Sequence, residues 1–256
     1  QPFGLYKFGY IEDLKNLNGK NLYEYYKKLI DECKIDIFVS GNIDDEIEKK
    51  ISENENIQKL VSREANYVQP MIANKEIKDK ENIVTESMEV TQGKLVLGLD
   101  VDIDKEDLKY DTLIYNSLLG GTATSKMFQN VREKAHLAYV ASSSYLRNKN
   151  NIFINCGIDI PNYEKALELI REQIEDMKKG DFTEEEIQNA KKGIIATIKT
   201  IEDEQDTEVS YYFGQELSNQ KVSVKEYIEK IEKVSKKNII DIANKITINT
   251  IYFLKD

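Results

Sequence analysis

The sequence predicts an α+β fold, one mixed sheet with helices packed against it. Three observations carry that reading. The segment "KLVLGLDVDI" sets Leu95, Leu97, Leu99, Val101 and Ile103 at a strand's period of two. "LAYVASSSYL" and "NIFINCGIDI" form two β-rich runs joined only by "RNKNN", as neighbouring strands are. Several long stretches between Tyr163 and Ile246 place apolar residues at helical spacing.

The chain opens with a segment that recurs near its other end. "YIEDLKNLNGKNL" (Tyr10 to Leu22) matches "YIEKIEKVSKKNI" (Tyr227 to Ile239) without a gap. Each copy continues through a helix-like stretch toward a strand, "IDIFVSG" (Ile35 to Gly41) in the first and "INTIYFLKD" (Ile248 to Asp256) in the second. A spacing above 200 residues is far too long for a solenoid and indicates a duplicated domain. Residues 1–60 therefore read as the tail of a preceding homologous α+β domain, 61–82 as a linker carrying Pro70, and 83–256 as a complete second domain.

Within the second domain, "NIVTESMEV" and the Leu95 run are the first two strands. "KEDLKYDTLIYNSLLG" is a helix, which Gly120 and Gly121 are expected to stop through a positive-φ residue. A second short helix starts near Thr124 or Ser125, either of which can cap it, with Met127, Phe128, Val131 and Ala135 as its apolar stripe. The paired strands follow. Pro161 opens the next helix and Gly180 ends it. Thr183 and Glu186 form a Thr-x-x-Glu capping box. Helices are then expected over about Glu208–Asn219 and Ser223–Ile246, before a closing strand.

Composition excludes several function classes. A net charge of -10 argues against nucleic-acid binding, which needs clustered basic charge. No run of 18 apolar residues is present to span a membrane. Cys33 and Cys156 form no CxxC and read as packed thiols in a reducing, cytoplasmic compartment. His136 is the sole histidine, so neither H-E-x-x-H nor H-x-x-E-H can be written here, and it reads as a solvated or core-edge residue on an interhelical or helix-end turn. Ser142, Ser143 and Ser144 have no nucleophile elbow around them, and no phosphate loop occurs.

That leaves "GGTATSKMFQNVREKAHLAYV". Arginine occurs at only four positions, Arg63, Arg132, Arg147 and Arg171, against abundant lysine. Arg132 falls near the end of the short helix and Tyr139 at the start of the next strand. A guanidinium fork and a phenol there can grip peptide carbonyls. Equally, Arg132 can pair with a carboxylate on a neighbouring helix while Tyr139 fills a core edge. Residue types and spacing leave both open.

"LLGGTATSKMFQNVREKAHLAYVASSS" resembles the second half of insulinase/pitrilysin-family zinc peptidases, where a Gly-Gly turn, a Ser-x-(Leu/Met)-Phe helix and an "REK…LAY" run recur. The likeness runs from about Ile83 to Asp256, with the opening residues similar to the end of the family's preceding domain. The resemblance implies an insulinase/processing-peptidase-like α+β domain with a mixed, largely antiparallel sheet. It also implies that zinc sits only in a metal-bearing homologous domain or partner subunit, with none in this chain. By the same resemblance Arg132 and Tyr139, seven residues apart, bind peptide substrate. "PFGLYKFGYIEDLKNLNGKNLYEYYKKLIDECKIDIFVSGNID" is most similar to non-catalytic members of paired proteins of low-GC Gram-positive bacteria. Two function classes follow: the substrate-binding, non-catalytic half of a zinc endopeptidase, or a pseudo-peptidase scaffold or interaction subunit with no proteolytic role.

Overall fold

The computed structural model describes residues 6–44, 46–61, 81–103 and 108–256. The inferred linker lies mostly outside them. In chain order the elements are α1 (Ile11–Leu14), α2 (Gly19–Glu32), α3 (Ile47–Ser52), α4 (Glu55–Val61), β1 (Asn82–Ser87), β2 (Gly93–Val101) and α5 (Leu108–Asn116). Two π-helical segments follow, Ser117–Gly121 and Met127–Lys134, and then β3 (Ala138–Leu146) and β4 (Asn151–Ile158). The chain continues through α6 (Tyr163–Lys179), α7 (Glu184–Lys199), α8 (Gln205–Leu217), α9 (Val224–Lys233), α10 (Lys236–Ala243) and β5 (Ile246–Lys255).

Two compact units emerge. One holds the described residues through Val61 together with α8; the other holds the remaining elements. In the first unit Asn18 caps α2 by accepting from the Asn21 backbone N–H, while the Asn21 side chain accepts from that of Asn18. The segment Ile35–Gly41 forms no strand ladder, contrary to its β-rich composition. The described residues of this unit include no strand for it to pair with, and an isolated strand leaves its backbone groups unladdered. The segment packs on α8 instead. Phe38 meets Phe213 edge-on at 5.8 Å, the Ser40 hydroxyl donates to Glu208 at 2.5 Å, and Lys34 pairs with Glu216 at 3.3 Å.

The second unit is built on a five-stranded sheet in the order β1-β5-β2-β4-β3. Only β1 and β5 run parallel, so the sheet is mixed and largely antiparallel. Period-two alternation sends one row of side chains from β2, β3, β4 and β5 into a single core, whereas β1 is exposed along its length. Leu97 lies opposite Ile154 on one side and Ile251 on the other, and Leu95 opposite Cys156 and Phe253, all of them buried. Onto this face close Ile114, Tyr115 and Leu119, Met127 and Val131, then Ile170, Ile174 and Met177 of α6. Truncating a core side chain such as Leu97 to Ala costs about 2–5 kcal/mol by transfer and cavity terms.

Local signals set the helix ends. Thr183 and Glu186 make the expected capping box. Gly180 ends α6 at φ 75, a left-handed position, and a Cβ there would meet Ile240 Cδ1 at 2.6 Å. The expected helix over Ser223–Ile246 is instead α9 and α10, broken at Val234. There Ser235 and Asn238 form a further capping box, and extended backbone at Val234 interrupts the α-helical bonds. Lys191, buried in α7, donates to the Glu232 carbonyl at 2.8 Å and so neutralises the C-terminal end of α9.

Candidate functional site

The site is shaped by the passage from α5 to β3. Gly120 and Gly121 do not adopt positive φ and do not end the helix as a left-handed cap. They widen it into a π-helical turn laid against β3, so close that a Cβ on Gly120 would sit 2.5 Å from the Ser143 backbone N. The Ser143 hydroxyl donates to Asn116 Oδ1 at 2.8 Å and locks the approach.

The next segment is also π-helical. Ser125 caps it weakly, accepting from Phe128 N at 3.4 Å. Met127 and Val131 are buried as expected, but Ala135 is exposed: i to i+5 bonding, as in Ala135 N to Asn130 O at 3.1 Å, stretches the stripe's period beyond 3.6. His136 ends the segment at φ 53, exposed to solvent. That left-handed conformation is one which Asn, Asp and His tolerate better than most non-glycine residues. Its place is a turn.

Arg132 projects from this π-helical segment with its guanidinium 4.5 Å above the Phe128 ring and 3.6 Å from Glu133. Its carboxylate neighbour is therefore the next residue in the chain, not a group on another helix. Tyr139 stands one residue into β3, where the register with β4 shifts: Ala138 opposes Ile158, yet Val140 opposes Gly157. The extra residue is a β-bulge, which turns Tyr139 and Val140 outward in succession. Tyr139 is 61% exposed and fills no core edge. Its hydroxyl donates to Asp159 Oδ1 at 3.0 Å, and that bond, with the charge behind it, raises the phenol pKa above its ordinary value. No hydrogen bond joins Arg132 to Tyr139 among the described residues; each is held by its own partner. Asp159 was not singled out from sequence, although an acid beside "IPN" at the close of a strand is the signal that could have found it.

The remaining candidates carry no chemistry. Cys156 is buried in β4, and burial pushes its thiol up to about 12, an inert setting for a nucleophile. Among the described residues no group of three His, Cys, Asp or Glu side chains could hold a metal ion, and His136 is exposed on its turn. The described residues do not fit a zinc centre. No helix among the described residues is long and apolar enough to cross a membrane.

The chain is 32% identical over 260 residues to the "Probable inactive metalloprotease YmfF" of Bacillus subtilis, a match covering 99% of this chain and 59% of that protein. The "Uncharacterized zinc protease YmxG" of the same organism is 26% identical over 183 residues, covering 70% of this chain and 43% of that one. A conserved protein of Enterococcus faecalis superposes with a TM-score of 0.86 at 27% identity, over 98% of this chain and 59% of that structure. The chain thus spans well under two thirds of the length of these relatives. Residues 16–194 match the model described as "Peptidase M16 inactive domain". The chain belongs to the peptidase M16 family and carries that family's inactive domain.

Proposed function

We propose that this chain is the substrate-binding, non-catalytic half of an insulinase-type zinc endopeptidase, acting from a cytoplasmic compartment. It grips peptide backbone opposite a metal-bearing homologous domain or subunit, which supplies the zinc. The observation that carries this reading is the outward pair at the start of β3, with Arg132 close by in sequence. Strand β3 is an edge of the sheet, and Ala138–Leu146 contains neither a charged residue nor a proline. Natural edges are usually blunted by such residues, so a bare one suits addition of an extended peptide as a further strand.

Residues 1–60 we read as the end of a homologous domain. The repeat is supported by matching caps, Asn18 with Asn21 and Ser235 with Asn238. The burial contrast follows the same register. Tyr227, Ile231, Ile239 and Ile242 are buried in the second unit, while their counterparts Tyr10, Leu14, Leu22 and Tyr25 are exposed. Helices equivalent to α5 and α6, in a domain of the same fold, would cover that stripe.

The test is made in the full-length protein together with its metal-bearing half. Arg132→Ala and Tyr139→Phe are expected to lower peptide turnover by about a hundred- to a thousandfold, the scale of losing one positioned hydrogen-bonding group. The melting temperature should stay where it was. Parallel losses of stability and turnover would assign both residues to structure. A second reading, a pseudo-peptidase scaffold, is favoured by the 32% identity to a relative named as a probable inactive metalloprotease. Turnover that never appears in any pairing, with the fold intact, would establish it.

A further inference from the structure

The phenol of Tyr139 has one proton, and Asp159 holds it. Asp159 lies directly after Ile158, the β4 residue that opposes Ala138, so the strand pairing sets it beside the bulge. Its backbone is fixed from the other side: the Asp159 carbonyl accepts from Asn162 N at 2.9 Å, closing the short turn that holds Pro161. No ion pair engages the Asp159 carboxylate among the described residues, and Tyr139 donates to it at 3.0 Å. A carboxylate is a stronger acceptor than a peptide carbonyl, and a bond to it is charge-assisted. The hydroxyl proton, still on the phenol, therefore stays directed at Asp159 when a neutral amide approaches.

We propose that Asp159 is the positioning residue of Tyr139, fixing the phenol so that it presents its oxygen lone pair to a peptide N–H. This rests on the substrate-binding reading above and alters it in one respect. Two residues that both gripped carbonyls would compete for the same acceptors along a strand. Arg132 has donors only, and its guanidinium takes a carbonyl. Tyr139, with its proton engaged, is an acceptor and takes an N–H. Together they match the alternating polarity of an extended backbone. The ligand class is an extended peptide with a free amide N–H at the position beside the bulge. A prolyl or N-methylated residue there is rejected.

Two measurements on the full-length protein test this. The first is ultraviolet difference titration of the parent against Tyr139→Phe, which isolates one phenol among fifteen tyrosines. The parent phenol should ionise above the ordinary tyrosine value of about 10, and Asp159→Asn should bring it back there. A parent midpoint at the ordinary value, or one unmoved by Asp159→Asn, overturns the proposal. The second uses a fluorescein-labelled extended peptide of alternating Val and Thr flanked by lysines, and a series in which each amide in turn is replaced by an ester. In the parent one ester should weaken binding by roughly two- to tenfold, the range of a single hydrogen bond. Tyr139→Phe and Asp159→Asn should not distinguish that ester from the amide. Discrimination that survives in both variants overturns the proposal. If no peptide binds any of the three proteins, the substrate-binding reading fails on its own, while the titration still decides whether Asp159 holds the phenol.

Discussion

Gly120→Ala is the most direct probe of how the helix–strand passage is held. The added Cβ would lie 2.5 Å from Ser143 N, 2.7 Å from its Oγ and 2.9 Å from its Cβ. Ordinary contact is about 3.5–4.0 Å, so the π-helical turn must retreat from β3 by roughly 1 Å. Overpacking of this kind costs about 1–3 kcal/mol. A shift of that size also breaks the hydroxyl bond from Ser143 to Asn116, worth about 1 kcal/mol. The sum, about 2–4 kcal/mol, corresponds to a fall in melting temperature of about 5–15 °C for a domain of this size. Circular dichroism melting reads it. Gly193→Ala is the control. It sits inside α7 with nothing within 4 Å of the new Cβ, so it should raise the melting temperature by a few degrees through helix propensity alone, about 0.5–1 kcal/mol. Adding Ser143→Ala to Gly120→Ala should not rescue it, because the nearest atom is backbone. A Gly120→Ala protein that melts within a degree of the parent would refute the close approach.

Three further outcomes follow from the geometry. Arg171 forks Glu81 through two bonds, at 2.7 and 2.5 Å, and holds that carboxyl below its ordinary value. A depressed folded pKa contributes stability above the unfolded value that is lost as pH falls through the folded one. The difference between parent and Arg171→Ala should thus be present at neutral pH, below about 1 kcal/mol for so exposed a pair, and should vanish in acid; a difference that grows in acid contradicts it. His136→Gly should match or exceed parental stability, by up to about 1 kcal/mol, whereas His136→Val should lose stability at its φ of 53; denaturant midpoints that rank the other way would refute the turn assignment. With a thiol-specific disulfide reagent at neutral pH, Cys33→Ser should abolish the rapid reaction while Cys156→Ser leaves it unchanged, since Cys156 is buried with its thiol pushed up to about 12.

What could be read in the sequence was whatever depends on neighbours along the chain. Strand β2 announces itself by alternation, because it buries one face, and β3 and β4 by β-rich composition on either side of a short connection. The Thr183 box and the Gly180 stop are local hydrogen-bond chemistry. Tyr139 could be singled out in advance, but neither its exposure nor its bulge could be read, since register is decided by the partner strand. The π-helical widening is likewise invisible to a 3.6-residue template, and Ala135 was misplaced for that reason. Ile35–Gly41 has a strand's composition without a sheet among the described residues of its unit. The break at Val234 was legible after the fact: "VSKKN" repeats the "LNGKN" cap of the first copy.

Because β5 lies between β1 and β2, the sheet is split until Ile246–Lys255 has been synthesised. Before then β1 has no neighbour, and β2, β4 and β3 form a three-stranded sheet with an open flank. Closure of that gap joins residues about 170 positions apart, such as Ile83 and Ile251, so assembly of this domain is a late, long-range event. A nascent chain halted short of Ile246 would expose the flank of β2 to any other strand, and its failure would take the form of aggregation.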